Sequence, residues 1–370
     1  MVFSGIVDLK ILQKMGGCNM QKQEKSLLMI MDAKDSAHWN SIIDGFSDKD
    51  IYFYFEYIMS SLSLDDGEAL LFLFESENGK IAYPAVKRKV TAKTNVELYD
   101  ITTPYGYGGP LMEVYCNRKC LISEFREAFN EYCSTHCIVS EFVRFHPLLS
   151  NHRGFEEEME IVPLSHTIEI NLQQEGNLLD RLPGKNRNMI RKALKNDVEV
   201  KKVDIGSYLG EFLSMYYATM DRNRASGFYY FTEEYFKETI KLFGPDLHLF
   251  GAFLEGQMIS STLILTKGNF MHYHLSGSAR EYQHLGANNV LLYEVAKWGE
   301  ENGMQRFHLG GGYSGDGDSL FRFKKSFSSS EPLQFCIGKK IHNPNYYHML
   351  VLENDITEDS GFFPLYRSKK

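Results

Sequence analysis

The order of predicted elements repeats once along the chain, and this repeat limits the folds open to it. In the first half, three strand-like stretches, ALLFLFES, KIAYPAVKRKV and ELYDITT, precede the turn PYGYGGP, a helix over about 121–136 and the strand CIVSEFVRF. In the second half, LHLFGAFLE, MISSTLILTK and FMHYHLSGS precede LGANN, a helix ending at Asn302 and the strand MQRFHL. Each half therefore has the order strand, strand, strand, glycine turn, helix, strand.

Short connections indicate how these strands pair. The links NGK, EGQ and KGN are typical of hairpins, so the early strands of each half should form an antiparallel meander. The helix can then return the chain to a strand parallel to its neighbour. We predict an α/β (α+β) fold of two tandem domains, each a mixed, largely antiparallel sheet flanked by helices. The expected domains are 27–165 and 166–340, with a disordered leader over 1–26 and a C-terminal tail over 341–370.

Charge and hydropathy exclude some classes of protein. The 370 residues carry a formal net charge of -8, which argues against a general nucleic-acid binder, and we expect no DNA partner. No apolar run is long enough for a transmembrane segment. The N-terminus loosely resembles a lipoprotein signal ending at Cys18, but Asp8 and Lys10 interrupt its apolar part. We therefore expect a cytoplasmic protein, for which Met20 is an alternative start.

The spacing within two cysteine pairs could be mistaken for that of a metal site. Cys116 with Cys120, and Cys133 with Cys137, are each four residues apart. Structural zinc pairs usually lie on turns, whereas these cysteines flank or lie on the predicted helix. We expect reduced cysteines and no metal site.

The segment RFHLGGGYSGDGDSLFRFKKSF contains the spacing G-x-G-x-x-G at Gly310, Gly312 and Gly315. A dinucleotide fingerprint also needs a following helix, a second strand and the rest of a βαβ domain. Too few residues follow Gly315 for such a domain, so the glycines should serve another purpose.

A second glycine turn, QHLGANN, leads into the helix of the second half. Its residues Gln283, Gly286 and Asn288 resemble the Q/R-x-x-G-x-G/A motif with which GNAT acyltransferases hold the pyrophosphate of acyl-CoA. Asn288 replaces the last small residue of that motif, which weakens the resemblance to a CoA site. An anion-binding helix start, with Gly286 and Asn288 contacting phosphate, and a plain tight turn both remain open.

The two halves together resemble the Fem family of peptidoglycan-bridge aminoacyltransferases. The resemblance covers about residues 27–335 and rests on TPYGYGGP, RNMIRKALKNDVEV, TMDRNRASGFYYF, HYHLSGS, ANNVLLYEVAKWGEENG and HLGGG with DSLFRFKKSF. It implies transfer of an amino acid from aminoacyl-tRNA to the side-chain amine of a cell-wall precursor peptide, without a permanently bound cofactor.

One departure from the Fem family leaves the donor open. The long helical hairpin with which some members meet tRNA is missing, because residues 196–250 hold only two ordinary predicted helices. The donor is therefore aminoacyl-tRNA or acyl-CoA, and the acceptor is a small molecule or a peptide linked to a nucleotide. The alternatives are an acyl-CoA-dependent GNAT N-acyltransferase and a non-catalytic module that binds the precursor.

The resemblance also implies the catalytic residues. The Phe-Lys pair of the last Fem motif lies at the reaction centre of the family and matches Phe323 and Lys324. An amine that attacks an ester or thioester creates an oxyanion, which a fixed ammonium group stabilises. The sequence contains no evident Ser-His-Asp or Cys-His arrangement, which favours direct transfer without a covalent enzyme intermediate. The alternative for Lys324 is an ordinary surface charge.

A basic face is predicted on the helix GKNRNMIRKALK. Arg187, Arg191 and Lys195 recur every four residues, opposite Ile190 and Leu194. The face could bind phosphate groups of the donor. An ordinary solvated helix face remains the alternative.

Aromatic residues supply the candidate substrate contacts. Tyr105 and Tyr107 in PYGYGGP could lie over a cleft, or the turn could be a plain connection. The resemblance adds Arg224 and Tyr229 in TMDRNRASGFYYF as substrate-binding residues.

Histidines alternate along the strand FMHYHLSGS. Alternation places His272 and His274 on one face with Ser276, and Tyr273 on the other face. A zinc site with His308, a role in proton transfer or substrate binding, and a structural pair all remain open. The family comparison implies substrate contact at Tyr273 or its neighbours.

Overall fold

The computed structural model describes residues 6–14, 24–64, 66–313, 315–354 and 361–368. The chain forms two compact units: unit 1 is Met1–Leu164 with Phe335–Lys370, and unit 2 is Ser165–Gln334. Among the described residues, the structure contains no helix that could serve as a membrane span.

The elements follow the chain in this order. The strands are β1 (Ile6–Lys14), β2 (Glu24–Asp32), β3 (Glu68–Ser76), β4 (Gly79–Val90), β5 (Leu98–Thr102), β6 (Leu111–Val114), β7 (Ile138–Arg144), β8 (Glu160–Asn171), β9 (Glu199–Val203), β10 (Leu247–Leu254), β11 (Gln257–Lys267), β12 (Phe270–Ser278), β13 (Arg306–Gly310) and β14 (Leu333–Ile341). The α-helices are α1 (Ser36–Asp44), α2 (Phe55–Leu62), α3 (Arg118–Thr135), α4 (Leu178–Arg181), α5 (Gly184–Lys195), α6 (Ile205–Asn223), α7 (Glu233–Phe243), α8 (Ala287–Glu301), α9 (Ser319–Lys325) and α10 (Pro344–Glu353). Short 3-10 helices occupy Ile51–Phe53, Gly227–Tyr229, Gly244–Asp246, Arg280–Leu285 and Leu365–Arg367.

In unit 1 the strand order is β1-β2-β3-β4-β5-β7-β14, and β6 pairs with β4. Neighbouring strands are antiparallel except β5 and β7, which are parallel and joined through α3. Helix α3 buries Phe125 and Phe129 on the sheet, where the rings of Phe129 and Phe72 lie 4.9 Å apart. This apolar layer of aromatic rings forms the core between helix and sheet.

In unit 2 the strand order is β8-β13-β12-β11-β10-β9. Here β12 and β13 are the parallel pair, joined through α8, and the other neighbours are antiparallel. Helix α8 buries Leu291 and Val295 against Phe307 in the core of the unit. The predicted order of elements and the mixed, largely antiparallel sheet in each half are confirmed.

Two predicted segments differ from the structure near the chain ends. Within the leader that we predicted to be disordered, residues 6–14 form β1, which pairs with β2, while 1–5 and 15–23 lie outside the described residues. The second domain was expected to end at 340, but Phe335 onward belongs to unit 1 because β14 pairs with β7.

The predicted C-terminal tail is partly structured. Helix α10 buries Tyr347 and Leu350 in a cluster with Val139 of β7. Farther on, the Tyr366 hydroxyl donates a hydrogen bond to the buried carboxylate of Asp100 at 3.2 Å. These contacts attach the described part of the C-terminal segment to unit 1.

Candidate active site

The candidate site lies where β12 and β13, the parallel strands of unit 2, separate. Pairing between β12 and β13 ends at His272 and His308, although β12 continues to Ser278. His274 is an extra residue in β12 relative to β11, and Leu309 is one in β13 relative to β8. Such bulges bend strands and redirect side chains.

The bulge at His274 corrects the predicted alternation in this strand. Because one extra residue inverts the faces that follow it, Ser276 lies on the same face as Tyr273 rather than with His272. The Tyr273 hydroxyl donates to Ser276 Oγ at 2.6 Å.

An open cavity of about 380 Å³ lies within unit 2. It is formed by the end of α6, the end of β12, the start of α8, the segment after β13 and the start of α9. The residues that line it are Thr219, Arg222, Asn223, Tyr273, Ser276, Gly277, Ser278, Gln283, Asn288, Tyr313, Ser319, Leu320 and Phe323.

Lys324 is buried next to this cavity. Its helix α9 begins with Asp318 as N-cap, whose carboxylate accepts a hydrogen bond from the Phe321 backbone N–H at 2.7 Å. The Lys324 side chain is 7% exposed, and its Nζ donates to the carbonyl oxygen of Gly311 at 2.7 Å. The same Nζ lies 5.6 Å from the centroid of the Tyr273 ring.

Burial changes the pKa values of Lys324 and Tyr273. It lowers the pKa of Lys324 to about 7, although the negative charge of Asp318 opposes the shift. Burial also raises the pKa of Tyr273 to about 12, so this hydroxyl keeps its proton near neutral pH. Lys324 is therefore the group that can change charge near neutral pH, either stabilising an oxyanion or accepting a proton.

Phe323 and the glycine segment complete this side of the cavity. The Phe323 ring lines the cavity and packs edge-on against the Phe327 ring, with the two ring centroids 5.3 Å apart. A Cβ at Gly312 would lie 2.4 Å from Asp318 Oδ2, so only glycine fits beside the α9 cap. The glycine spacing thus allows the chain to pass closely around Asp318.

The histidine candidates do not line the cavity. His272 and His308 are buried, with ring centroids 5.5 Å apart, on the face of β12 opposite Tyr273. Burial, with a smaller contribution from the charge of His272, lowers the pKa of His274 to about 4. His274 is therefore neutral near pH 7.

Of the two phosphate candidates at the start of α8, one lines the cavity. Asn288 does so, and its Oδ1 accepts a hydrogen bond from Ser260 Oγ at 2.5 Å. Gly286 has φ +81°, and a Cβ there would lie 2.8 Å from the Met189 carbonyl oxygen of α5. The close approach of α5 therefore accounts for Gly286 without a ligand.

The predicted basic face lies on α5, and none of its three residues lines the cavity. Arg187 Nη1 donates to the Asp180 carbonyl oxygen at 3.2 Å, and Arg191 and Lys195 are exposed. The apolar side differs from the prediction, because Leu194 is 45% exposed.

The two candidates from TMDRNRASGFYYF, Arg224 and Tyr229, lie just beyond the C-terminal end of α6. Arg224 has a left-handed backbone with φ 50° and is exposed, while Tyr229 accepts a hydrogen bond from the Tyr216 hydroxyl through its carbonyl oxygen at 2.6 Å. The sequence analysis missed Arg222, which lines the cavity. The available signal was its place in the block TMDRNRASGFYYF, two residues before the candidate Arg224.

The tyrosines of PYGYGGP belong to unit 1. The Tyr107 ring packs edge-on against Tyr52, with centroids 5.3 Å apart. Tyr105 is 38% exposed, and its carbonyl oxygen accepts a hydrogen bond from the Tyr57 hydroxyl at 2.9 Å. Gly106 has φ +94°, and a Cβ there would lie 2.7 Å from that hydroxyl. The turn is thus held by packing that requires glycine.

Comparisons with known proteins bear on the family and the fold. Residues 184–325 match the acetyltransferase (GNAT) domain family. The UDP-N-acetylmuramoylpentapeptide-lysine N(6)-alanyltransferase of Weissella viridescens is 28% identical over 177 residues, which are 47% of this chain and 51% of that enzyme. The chain thus matches about half the length of this curated relative. The crystal structure of FemX superposes with a TM-score of 0.63 at 14% identity, covering 85% of this chain and 98% of FemX.

The resemblance to Fem-type transferases is confirmed. The Fem-type fold extends over both units, because the FemX structure covers most of the chain. The tandem GNAT-like architecture predicted from the repeated element order is confirmed with it.

Proposed function

We propose that the chain is a Fem-type acyltransferase that forms an amide between an activated carboxyl group and an amine. The donor is aminoacyl-tRNA, and the acceptor is the side-chain amine of a muramoyl peptide linked to UDP, the acceptor class named for the Weissella relative. The observation that carries the proposal is the buried Lys324, bonded to the Gly311 carbonyl oxygen where β12 and β13 separate. We expect the reaction in the cytoplasm, where aminoacyl-tRNA is made.

The proposed reaction is a direct transfer. The acceptor amine attacks the ester carbonyl, a C–N bond forms, the C–O bond breaks, and the amine proton passes to the leaving oxygen. The protonated form of Lys324 stabilises the oxyanion that exists between these events. Phe323, which lines the cavity, excludes water from the reacting groups.

A second candidate is a GNAT N-acyltransferase that uses acyl-CoA. The match of residues 184–325 to an acetyltransferase domain favours it. The chemistry at Lys324 would be the same, with a thiol as leaving group in place of a hydroxyl.

A two-donor assay tests the proposal. The purified protein is incubated with UDP-N-acetylmuramoyl pentapeptide and either alanyl-tRNA or acetyl-CoA, and the acceptor mass is measured. We expect an alanyl addition in the tRNA reaction. An acetyl addition in the CoA reaction alone would favour the second candidate. Acceptor binding without product from either donor would indicate a non-catalytic binding module.

A further inference from the structure

The segment that joins β13 to α9 contacts one residue of β8, His166, near both of its ends. At its start, a Cβ at Gly311 would lie 3.0 Å from the His166 carbonyl oxygen. Near its end, the Asp316 carboxylate accepts the His166 backbone N–H at 2.8 Å and a second hydrogen bond from Nδ1 of the same histidine. Among the described residues, pairing of β13 with β8 ends at Gly310, so these contacts continue the attachment beyond the strand.

Charge strengthens the contact at Asp316. The hydrogen bond from the His166 side chain lowers the pKa of Asp316, so its carboxylate is ionised near neutral pH. Hydrogen bonds to an ionised acceptor are stronger than those between neutral groups. The two side chains are 38% and 43% exposed, so their pairing contributes little to the stability of the whole chain. Its effect should therefore be local, on the position of the segment.

This segment also carries the hydrogen-bond acceptor of Lys324. The Gly311 carbonyl oxygen accepts from Lys324 Nζ at 2.7 Å. Asp318, two residues after Asp316, is the N-cap of α9, the helix that carries Lys324. The attachment at Asp316 therefore acts on both sides of this bond, through the chain that leads to its acceptor and through the cap of the donor's helix. Reacting groups must be held within about 0.5 Å, so such an attachment matters for activity.

We propose that His166 and Asp316 are positioning residues, which together hold Gly311 against Lys324 and keep the Lys324 amine fixed for transfer. The inference rests on the proposed function and adds to it two residues that do not line the cavity. Neither side chain is assigned contact with a substrate. Their effect on turnover passes through Lys324 and should disappear once Lys324 is replaced.

Chemical labelling tests the position of Lys324 without turnover. The wild type, Asp316→Ala and His166→Ala are treated with a limiting amount of the N-hydroxysuccinimide ester of acetic acid, and acetylation of each lysine is measured by peptide mass spectrometry. We expect the labelling rate of Lys324 to rise about 3- to 10-fold in Asp316→Ala, as for loss of one hydrogen bond. His166→Ala keeps the backbone N–H and should show a smaller rise.

Two controls accompany the labelling. Lys325, on a different side of α9, should stay within about twofold of its wild-type rate in every variant. Glu233→Ala removes a carboxylate from an exposed pair of unit 2, in which Glu233 and Lys237 are 2.7 Å apart. It should leave labelling of Lys324 unchanged.

A double-mutant cycle separates positioning from general damage. Asp316→Ala should lower kcat about 3- to 10-fold when Lys324 is present and should leave the residual kcat of Lys324→Met unchanged. Equal losses in both backgrounds would mean that the pair acts independently of Lys324 and would overturn the inference. Unchanged labelling of Lys324 in Asp316→Ala would overturn it as well.

The remaining outcomes are also decisive. If Asp316→Ala does not fold, Asp316→Asn replaces it, because asparagine keeps the shape of the side chain and loses its charge. If Lys324→Met has no measurable turnover, labelling of Lys324 decides the inference. If the wild type transfers no group to any acceptor, the proposed function is wrong, whereas labelling still shows whether His166 and Asp316 position Lys324.

Discussion

The Nζ of Lys324 and the carbonyl oxygen of Gly311 are 2.7 Å apart. This bond joins α9 to the residue that follows β13, at the side where β13 no longer pairs with β12. It uses one N–H of the ammonium group, which has three N–H donors. A buried, fixed amine at this place needs no reorganisation to meet a developing charge.

Replacing Lys324 by Met should abolish most turnover and preserve the fold. Methionine keeps much of the apolar packing of the lysine stem and removes the charge. Loss of one preorganised oxyanion donor typically costs about 100- to 1000-fold in kcat. Steady-state kinetics should therefore give a much lower kcat with a nearly unchanged acceptor KM, since the charge acts in the transition state.

Lys325 provides the matched control for that substitution. Its Nζ donates to the Ser330 carbonyl oxygen, and its side chain is more exposed than that of Lys324. Lys325→Met should leave kcat within about threefold of wild type, because adjacent helix residues point in different directions. If Lys325→Met were the damaging change, the assignment of the Fem motif to Lys324 would be wrong.

The pH dependence of the rate should report the proton on Lys324. Its pKa is lowered to about 7 by burial, so the charged form is lost as pH rises through this value. If the ammonium form stabilises the oxyanion, the ratio of kcat between wild type and Lys324→Met is constant below about pH 7 and falls above it. Measuring both proteins from pH 6 to 9 removes the contribution of the acceptor amine, which both share. A ratio that rises with pH would instead indicate a general base.

The sequence predicted the elements because they depend on local patterns. Strand-rich stretches, short hairpin links and the apolar stripe of α8 each reflect residues close in sequence. The pairing of β14 with β7 does not depend on a local pattern, because the paired residues Ile337 and Arg144 are nearly two hundred residues apart in sequence. Periodicity identifies a strand but not its pairing partner, so residues 335–340 were assigned to the second domain rather than to unit 1.

The site was less predictable because small backbone irregularities shape it. The extra residue His274 carries no sequence signal, yet it brings Ser276 to the side of Tyr273. Similarly, the sequence alone does not distinguish Arg222 from Arg224. Because α6 ends at Asn223, Arg222 lines the cavity from the helix, whereas Arg224 lies beyond the helix and is exposed. The assignment of Phe323 and Lys324 as catalytic residues rests on the family resemblance and stays a prediction.

Gly286→Ala should destabilise the protein. The left-handed backbone at φ +81° disfavours a side chain, and the new Cβ would lie 2.8 Å from the Met189 carbonyl oxygen. We expect a loss of about 1–3 kcal/mol in the free energy of unfolding. Gly210→Ala is the control, because a Cβ in this part of α6 has open space. It should stabilise by about 0.5–1 kcal/mol in the same urea titration, and equal effects at both positions would contradict the packing argument.

The exposed cations of α5 should matter for a large polyanionic donor. Arg191 and Lys195 lie on the solvent side of the helix and can meet a phosphate backbone beyond the cavity. Charge removal in the double variant Arg191→Gln, Lys195→Gln should raise the KM for aminoacyl-tRNA about 3- to 10-fold at low salt, and the difference should shrink as salt rises. A KM for aminoacyl-tRNA equal to that of the wild type at low salt would mean that this helix face is simply solvated and does not bind the donor.

The buried carboxylate of Glu141 should make unit 1 sensitive to acid. It accepts hydrogen bonds from Arg126 at 3.0 and 2.8 Å and from His342 Nε2 at 3.1 Å. Burial alone would raise the pKa of Glu141, but the charge of Arg126 and these hydrogen bonds lower it overall. Stability from this group is therefore present above the unfolded pKa, near 4.3, and is lost as pH falls toward the lower folded value.

Glu141→Gln should therefore cost about 3–5 kcal/mol at pH 7, because it leaves the Arg126 charge buried without its partner. The matched control is Glu157→Gln, which removes the exposed pair with Lys119, where both side chains are more than 70% exposed. This control should leave stability close to that of the wild type, because water screens an exposed pair. Urea unfolding of the three proteins between pH 3 and 7 should show the gap between wild type and Glu141→Gln narrowing as pH falls. A gap that stays constant over this range would mean that packing of the side chain, rather than its charge, holds the network together.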